Sequence, residues 1–132
     1  MPVTETARLL LRPFTPADAP ALHRIYSDPE VMRFMGPPPA SVEQEEANLR
    51  AHVRNYYERL GFGLWAVVHK PTGELIGRCG LLRSEIADRT ETEISYLLER
   101  GSWGQGFAVE AAGAVLEYGF RVLGLERVVA VV

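Results

Sequence analysis

The chain has little cysteine and no surplus of positive charge. Its single cysteine, Cys79, cannot form an internal disulfide, which suits a reducing compartment. Cys79 lies in a strand-like run without a histidine nearby, so we interpret it as a packed structural thiol. Lys and Arg number 14 against 17 Asp and Glu, for a net charge of −3. A chain with this balance has no basic field to attract nucleic acid, so no nucleic-acid partner is expected.

Long apolar runs and local metal motifs are also missing. No apolar run reaches the roughly 20 residues that span a bilayer, and residues 1–6 lack the basic start and apolar stretch of a secretion signal. The three histidines, His23, His52 and His69, are too scattered for a local metal motif. We therefore expect a cytoplasmic protein with no membrane partner and no metal. Its 132 residues, 47% of them hydrophobic, predict one domain over residues 1–132.

The first half of the chain predicts one strand and two helices. Residues 8–14 form a short apolar run, which Pro13 prevents from continuing as a central strand. Thr15 and the Pro16 that follows it predict the start of a helix that runs to about Ser27. After Gly36 and three prolines, a capping box at residues 41–44 begins a second helix, which ends at Gly61. Its apolar residues, predicted to share one side, are Val42, Leu49, Val53, Tyr56, Tyr57 and Leu60.

From residue 63 the hydrophobic period changes to two. Residues 64–69 and 74–82 flank the turn sequence Lys-Pro-Thr-Gly, which predicts an antiparallel hairpin. Residues 83–90 are expected to form a polar loop, and residues 92–99 to return as the next antiparallel strand. The order of elements predicts an α+β domain.

A glycine-rich loop then opens directly into an apolar helix that extends to Leu123. In residues 103–108, Trp-Gly-Gln-Gly-Phe-Ala, few side chains shield the backbone, so successive N–H groups can face outward at the positive end of the helix. This arrangement is suited to phosphate, although glycines before a helix more often form only a tight turn. Residues 127–132 predict a further strand, parallel to residues 92–99 through a right-handed crossover.

The run from Glu93 to Val132 resembles the Gcn5-related N-acetyltransferases (GNAT), and most closely the branch that modifies ribosomal-protein N-termini and small amines. In that superfamily the loop Gln/Arg-x-x-Gly-x-Gly/Ala binds the pyrophosphate of acetyl-CoA. Gly106 and Ala108 match its two small positions, while Trp103 replaces the first residue, as is familiar in that branch. The resemblance implies a GNAT-like three-layer fold. Its mixed central sheet joins an antiparallel meander to a parallel strand-helix-strand unit and is truncated after its fifth strand.

The resemblance also implies a binding site for acetyl-CoA as cosubstrate. The backbone at the end of the strand over residues 92–99 would pair with the pantetheine arm, and the glycine-rich loop would bind the pyrophosphate. The residues implied are Tyr96, Leu97, Leu98 and Glu99 for the arm, and Trp103, Gly104, Gln105, Gly106, Phe107 and Ala108 for the phosphates.

Acetyl transfer to an amine requires a neutral amine and a donor to the developing oxyanion. Several members of the family use a glutamate of this strand as the base. Glu91 and Glu93 share one face of it, and Glu93 is predicted as the base. A backbone N–H near Leu97 is the oxyanion donor that the resemblance implies. The acceptor pocket lies near the first two helices in the family, which points to Phe34 and Met35 as its wall, although the pattern alone indicates ordinary core residues.

These observations predict an acetyl-CoA-dependent N-acetyltransferase that acts on a primary amine, either a protein N-terminus or a small molecule. The alternative is a catalytically inactive CoA-binding or protein-interaction module. The resemblance implies a final segment beyond Val132, which often holds the general acid, so an incomplete C-terminal part and an unnamed general acid are expected. The apolar strand Val128, Val129, Ala130, Val131 and Val132 would then have an open edge, which predicts a homodimer or larger assembly through it.

Overall fold

A five-stranded antiparallel sheet forms the centre of the computed structural model, which describes residues 2–130. Each strand pairs with the next one along the chain. The strands are β1 (Thr4–Glu5), β2 (Leu9–Pro13), β3 (Leu64–His69), β4 (Glu74–Ile86) and β5 (Arg89–Leu98). The helices are α1 (Ala19–Tyr26), α2 (Val42–His52) and α3 (Phe107–Arg121).

Two hydrophobic clusters cover the two faces of the sheet. On one face, Leu9, Val67 and Leu81 pack with Phe107 and Val115 of α3. On the other face, residues of β3, β4 and β5 pack with residues of α1 and α2; this cluster includes Ala66, Leu75, Leu97, Leu22 and Leu49. Because successive strand residues point to opposite faces, each central strand contributes to both clusters. The predicted α+β, three-layer fold is confirmed.

Cys79 is fully buried in the cluster against α3. Burial raises the pKa of its thiol to about 12, so the thiol stays protonated. This position agrees with a packed structural thiol.

The predicted parallel unit is present as a short contact between β5 and the segment after α3. The N–H of Ile94 donates to the carbonyl of Val129 at 2.9 Å, and the N–H of Val129 donates to the carbonyl of Thr92 at 2.9 Å. These bonds form a parallel bridge between Glu93 and Val129. Val131 and Val132, which belong to the strand predicted for the dimer interface, lie outside the described residues.

Both predicted helix starts are confirmed. The N–H of Thr15 donates to the Asp18 carboxylate at 2.9 Å, and a 3₁₀ turn, Pro16–Asp18, leads into α1. The Ser41 hydroxyl accepts the N–H of Gln44 at 3.0 Å at the start of α2.

The second helix is less regular than predicted. Its α-helical part ends at His52 and continues as a π-helical stretch, Val53–Glu58. The segment then ends at Gly61, whose φ of 79° suits a glycine. The wider turn changes the helical period after His52, so a single α-helical stripe through Leu60 is wrong.

The predicted polar loop over residues 83–90 is also wrong. Strand β4 continues to Ile86, which pairs directly with Arg89 at the start of β5. Ala87 and Asp88 make the connection with φ values of 51° and 63°. Two successive positive φ values are those of a type I′ hairpin turn, whose usual sequence signal is Asn-Gly or Asp-Gly. Residues 83–90 were predicted as a loop because neither of these dipeptides occurs among them.

Candidate functional site

Within residues 2–130, the end of β5 has one backbone edge without β-sheet partners. The N–H of Glu99 donates to the carbonyl of Ile76 at 2.8 Å, on the β4 side, whereas the N–H of Ile94 donates to Val129 on the opposite side. Since these directions alternate along a strand, the amides of Tyr96 and Leu98 face the Val129 side. Within residues 2–130, neither amide has a backbone partner there. Within residues 2–130, the strand therefore presents two donors beyond its bridge to Val129.

The glycine-rich loop places a second group of donors beside this edge. Gly104 and Gly106 have φ values of 77° and 79°, which glycine adopts without strain. The carbonyl of Gly106 accepts the N–H of Glu110 at 3.1 Å. The N–H groups of residues 107–109, at the positive end of α3, therefore have no partner within the helix. The side chain of Gln105 donates to the carbonyl of Gly101 at 3.1 Å, so it is engaged within the loop.

Glu110 anchors the first turn of α3 to the residues just before β2. Its carboxylate accepts a hydrogen bond from the Thr6 hydroxyl, one from the Arg8 backbone N–H at 3.2 Å and one from Arg8 Nε at 2.8 Å. The Arg8 guanidinium also lies 4.3 Å from the centre of the Phe107 ring. Sequence reasoning missed this anchor, because its partners are more than 100 residues apart.

We expect Glu110→Gln to destabilise the protein at neutral pH. The hydrogen bond from Thr6, followed by the contacts with Arg8, lowers the pKa of Glu110 below the usual 4.5. A carboxylate with a lowered pKa stabilises the fold above 4.5, and this contribution is lost as pH falls through the lowered value. Urea unfolding should show a loss of about 1–2 kcal/mol at neutral pH, decreasing as the solution is acidified.

Glu117→Gln on the same helix is the control, because its pair with Arg121 is largely exposed. It should change the free energy of unfolding by less than about 0.5 kcal/mol. If Glu110→Gln lost the same free energy of unfolding at neutral pH and at acidic pH, the role assigned to its charge would be contradicted.

An apolar cavity of about 240 Å³ lies between the free edge of β5 and the loop. Its lining residues are Val31, Met35, Tyr96, Leu97, Leu98, Trp103 and Ala108. The Trp103 indole N–H donates to the carbonyl of Leu98 at 3.0 Å and so joins the loop to the strand. The structure thus brings five of the residues predicted for the cofactor together with Met35.

A second, polar cavity of about 250 Å³ lies between α1, α2 and the sheet. Its apolar lining includes Phe14, Leu22, Met32, Leu49 and Leu64, and its polar lining includes Tyr26, Glu45, His52 and Arg78. Met35 lines both cavities, so the two spaces adjoin at this side chain.

The polar cavity holds one buried acid and one arginine. Glu45 is 3% exposed and forms no ion pair within residues 2–130. Burial raises its pKa, although Asn48 and the charges of Arg78 and His23 oppose that effect. The N–H of Leu64 donates to His52 Nε2 at 2.9 Å, and burial lowers the pKa of His52 to about 4. His52 is therefore neutral near pH 7, as the acceptor in this bond must be.

The structure places the remaining predicted site residues as follows. Glu93 is half-buried on the face that carries Leu97, about 13 Å along the strand from it, and is not among the residues that line either cavity. Glu91 is buried and pairs with Arg127 at 3.1 Å. Phe34 is 87% exposed and lines neither cavity, and Met35 is 43% exposed, so the interpretation as core residues is wrong for both.

Sequence reasoning missed the polar residues of the second cavity. Glu45 follows a helix start, where acids are common, and was not singled out. Arg78 carried a usable signal, because it is the charged residue within the apolar run over residues 75–82. A charge in such a run is seldom buried without a partner or a function.

Two further findings concern the described part of the chain. Within residues 2–130, no three His, Cys, Asp or Glu side chains come together as metal ligands. None of the helices there combines the length and apolar character that crossing a bilayer requires.

Comparisons with known proteins give one consistent result. The family described as "Acetyltransferase (GNAT) domain" matches residues 8–132. The uncharacterized N-acetyltransferase YoaA of Bacillus subtilis is 36% identical over 132 residues, which cover 99% of this chain and 73% of that protein. A crystal structure of an acetyltransferase from Agrobacterium tumefaciens is 29% identical with a TM-score of 0.77, over 96% of this chain and 71% of that one.

A third similar protein is RimL, whose structure is described as a ribosomal L7/L12 alpha-N-protein acetyltransferase. It aligns with a TM-score of 0.79 over 98% of this chain and 70% of that one. At 18% identity this likeness concerns the fold.

Proposed function

Because the chain belongs to the GNAT acetyltransferase family, we propose that it transfers an acetyl group from acetyl-CoA to a primary amine. The observation that carries this proposal is the pair of donor groups on either side of the apolar cavity. One group is the free edge of β5 at Tyr96 and Leu98, and the other is the start of α3.

The two groups of donors suit two parts of one ligand. The pyrophosphate of CoA would bind at the N–H groups of residues 107–109, where the helix dipole favours negative charge. The amide-bearing pantetheine arm would pair with the free edge of β5, as an added strand pairs with a sheet. The thioester would then lie in the apolar cavity near Met35, next to the polar cavity.

The reaction is direct attack of the amine on the thioester. The neutral amine nitrogen forms a bond to the carbonyl carbon, the carbon–sulfur bond breaks, and the sulfur leaves and takes up a proton. An acceptor that binds as an ammonium ion loses two protons, of which one ends on the CoA thiol and one passes to solvent. The amide of Tyr96 or Leu98 would donate to the oxyanion in the transition state.

Two carboxylates are candidates for the base. Glu93 is the candidate from the resemblance, and its role stays a prediction. Glu45 lines the polar cavity and has a pKa raised by burial, which suits a proton acceptor. We propose Glu45 because it lies beside the space where an amine can approach the apolar cavity.

The variants Glu45→Gln and Glu93→Gln distinguish these candidates. Glu45→Gln should lower kcat/KM for the amine by about 10²-fold or more with CoA binding retained, and Glu93→Gln by less than about tenfold. Steady-state kinetics and calorimetric CoA binding are the measurements. A 10²-fold loss confined to Glu93→Gln would make Glu93 the base.

An inactive CoA-binding module is the alternative function, and thiol release separates the two. Purified protein with acetyl-CoA and a panel of amines should produce free CoA in an amine-dependent way. A module would instead gain thermal stability from CoA and release no thiol with any amine. The cytoplasmic location and the homodimer through Val128–Val132 stay predictions.

A further inference from the structure

The polar cavity contains two opposite charges that do not neutralise each other directly. Glu45 and Arg78 both line it, and the charge of Arg78 opposes the effect of burial on the pKa of Glu45, yet the two form no ion pair. Of the other titratable groups that line it, His52 is neutral and burial raises the pKa of Tyr26, which keeps its hydroxyl protonated. The cavity therefore presents one negative and one positive group, each able to bind a ligand charge.

Arg78 has unused hydrogen-bonding capacity. It lies on β4, opposite Leu97 of β5, and its Nη1 donates to the Tyr26 hydroxyl at 2.6 Å. Its Nε is buried and has no partner within residues 2–130. A buried donor without a partner is costly, and a guanidinium offers two parallel donors that match a carboxylate. The Nη2 of Arg78 forms no hydrogen bond within residues 2–130 and is not sealed off as Nε is, so a ligand carboxylate in the cavity would pair with the guanidinium there.

Glu45, in turn, is a buried carboxyl group that forms no ion pair within residues 2–130. A carboxylate that is 97% buried without an ion pair destabilises the fold, which is the physical reason that burial raises its pKa. An ammonium group in the cavity would neutralise this charge.

The remaining lining limits the shape of the ligand. A volume of about 250 Å³ is just below the range of about 300–1,000 Å³ for typical ligand pockets, so the occupant is small. Phe14, Leu22, Met32 and Leu49 supply apolar surface for a side chain. A polyamine would bring cations that the cavity cannot match, and a protein N-terminus lacks the adjacent free carboxylate.

We propose that the acceptor is a free α-amino acid with an apolar side chain, bound as a zwitterion with its ammonium group at Glu45 and its carboxylate at Arg78. This inference rests on the proposed function and names the substrate class of the same site. The α-amine would lie near Met35, where the polar cavity meets the apolar one. After loss of a proton it would attack the thioester there and yield an N-acetyl amino acid.

The test compares L-leucine, L-methionine and L-phenylalanine with the amides of the same amino acids, which lack the carboxylate. Thiol release should give a kcat/KM at least about 10²-fold higher for one or more of the amino acids than for its amide. In Arg78→Gln this ratio should fall to near one, because only the amino acid loses a partner for its carboxylate, whereas any effect through Glu45 acts on the amino acid and the amide alike. Arg78→Lys, which keeps the charge, should restore part of the preference.

Matched controls come from the same elements. Glu43→Gln is an exposed change two residues before Glu45, and Arg83→Gln is an exposed change on the same strand as Arg78. Both should leave the ratio unchanged. Glu45→Gln should lose activity with a melting temperature equal to or above that of the wild type, because it removes a buried charge.

The outcomes separate this inference from the proposed function. Equal turnover of amino acids and their amides, or a preference for spermidine, would overturn the inference and leave acetyl transfer in place. If no amine releases thiol, acetyl transfer fails, and calorimetry of the same six compounds decides the inference. Binding of an amino acid but not its amide, lost in Arg78→Gln, would support it, and equal or absent binding would overturn it.

Discussion

Gly106→Glu is expected to abolish CoA binding, with a Kd at least about 10²-fold above that of the wild type. Gly106 directly precedes α3, and the new carboxylate would lie beside the N–H groups that are proposed to bind the pyrophosphate. A like charge at an anion site costs several kcal/mol. Isothermal titration calorimetry with CoA measures the effect.

Two control variants separate charge from backbone strain. Gly106→Ala carries the same strain, because φ at this position is +79° for any residue, and a Cβ there meets only Arg8 Nη2 at 3.5 Å. It should weaken CoA binding far less. Gly113→Glu adds the same charge at an open position on the same helix and should bind normally. If Gly106→Glu and Gly106→Ala bind CoA equally, the phosphate assignment is wrong.

Tyr96→Pro is expected to lower turnover by about 10²-fold or more. Proline removes the N–H that faces away from β4, one of two candidate donors to pantetheine and the oxyanion. The Tyr96→Pro variant is expected to fold, because this N–H takes no part in the pairing with β4 and the Tyr96 side chain is 55% exposed.

Tyr96→Ala is the matched control, since it removes the side chain and keeps the amide. It should retain turnover within about tenfold of the wild type, and circular dichroism should show that both variants fold. Equal turnover in Tyr96→Pro and Tyr96→Ala would remove this amide from the mechanism.

The geometry of the glycine-rich loop could be predicted from the sequence because its signal is local. Gly104 and Gly106 occupy positive φ positions directly before the helix, so the residues and the geometry are adjacent in the chain. The antiparallel meander was predictable for the same reason. The alternation of apolar and polar residues and the turn residues both lie within a single hairpin. The hairpin at Ala87 and Asp88 was not, because its two residues adopt positive φ without a glycine to indicate it.

The polar cavity could not be assembled from the sequence. Glu45 lies on α2 and Arg78 on β4, and only the packing of α2 on the sheet brings both to one cavity. The prediction of Glu93 as base relied on the family resemblance and on its place in the strand, which fixes the face of a side chain but not what packs opposite it. The anchor between Arg8 and Glu110 likewise depends on a tertiary contact between β2 and α3.

The most direct test of the central claim is amide-resolved hydrogen exchange of the wild-type protein with and without acetyl-CoA. Binding across the free edge of β5 and the start of α3 should slow exchange at Tyr96, Leu98, Phe107, Ala108 and Val109 together. Amides within helix α2, such as those of Glu46 and Asn48, should exchange at unchanged rates. Unchanged rates at β5 and α3, or slowing confined to another surface, would contradict the proposed acetyl-CoA site.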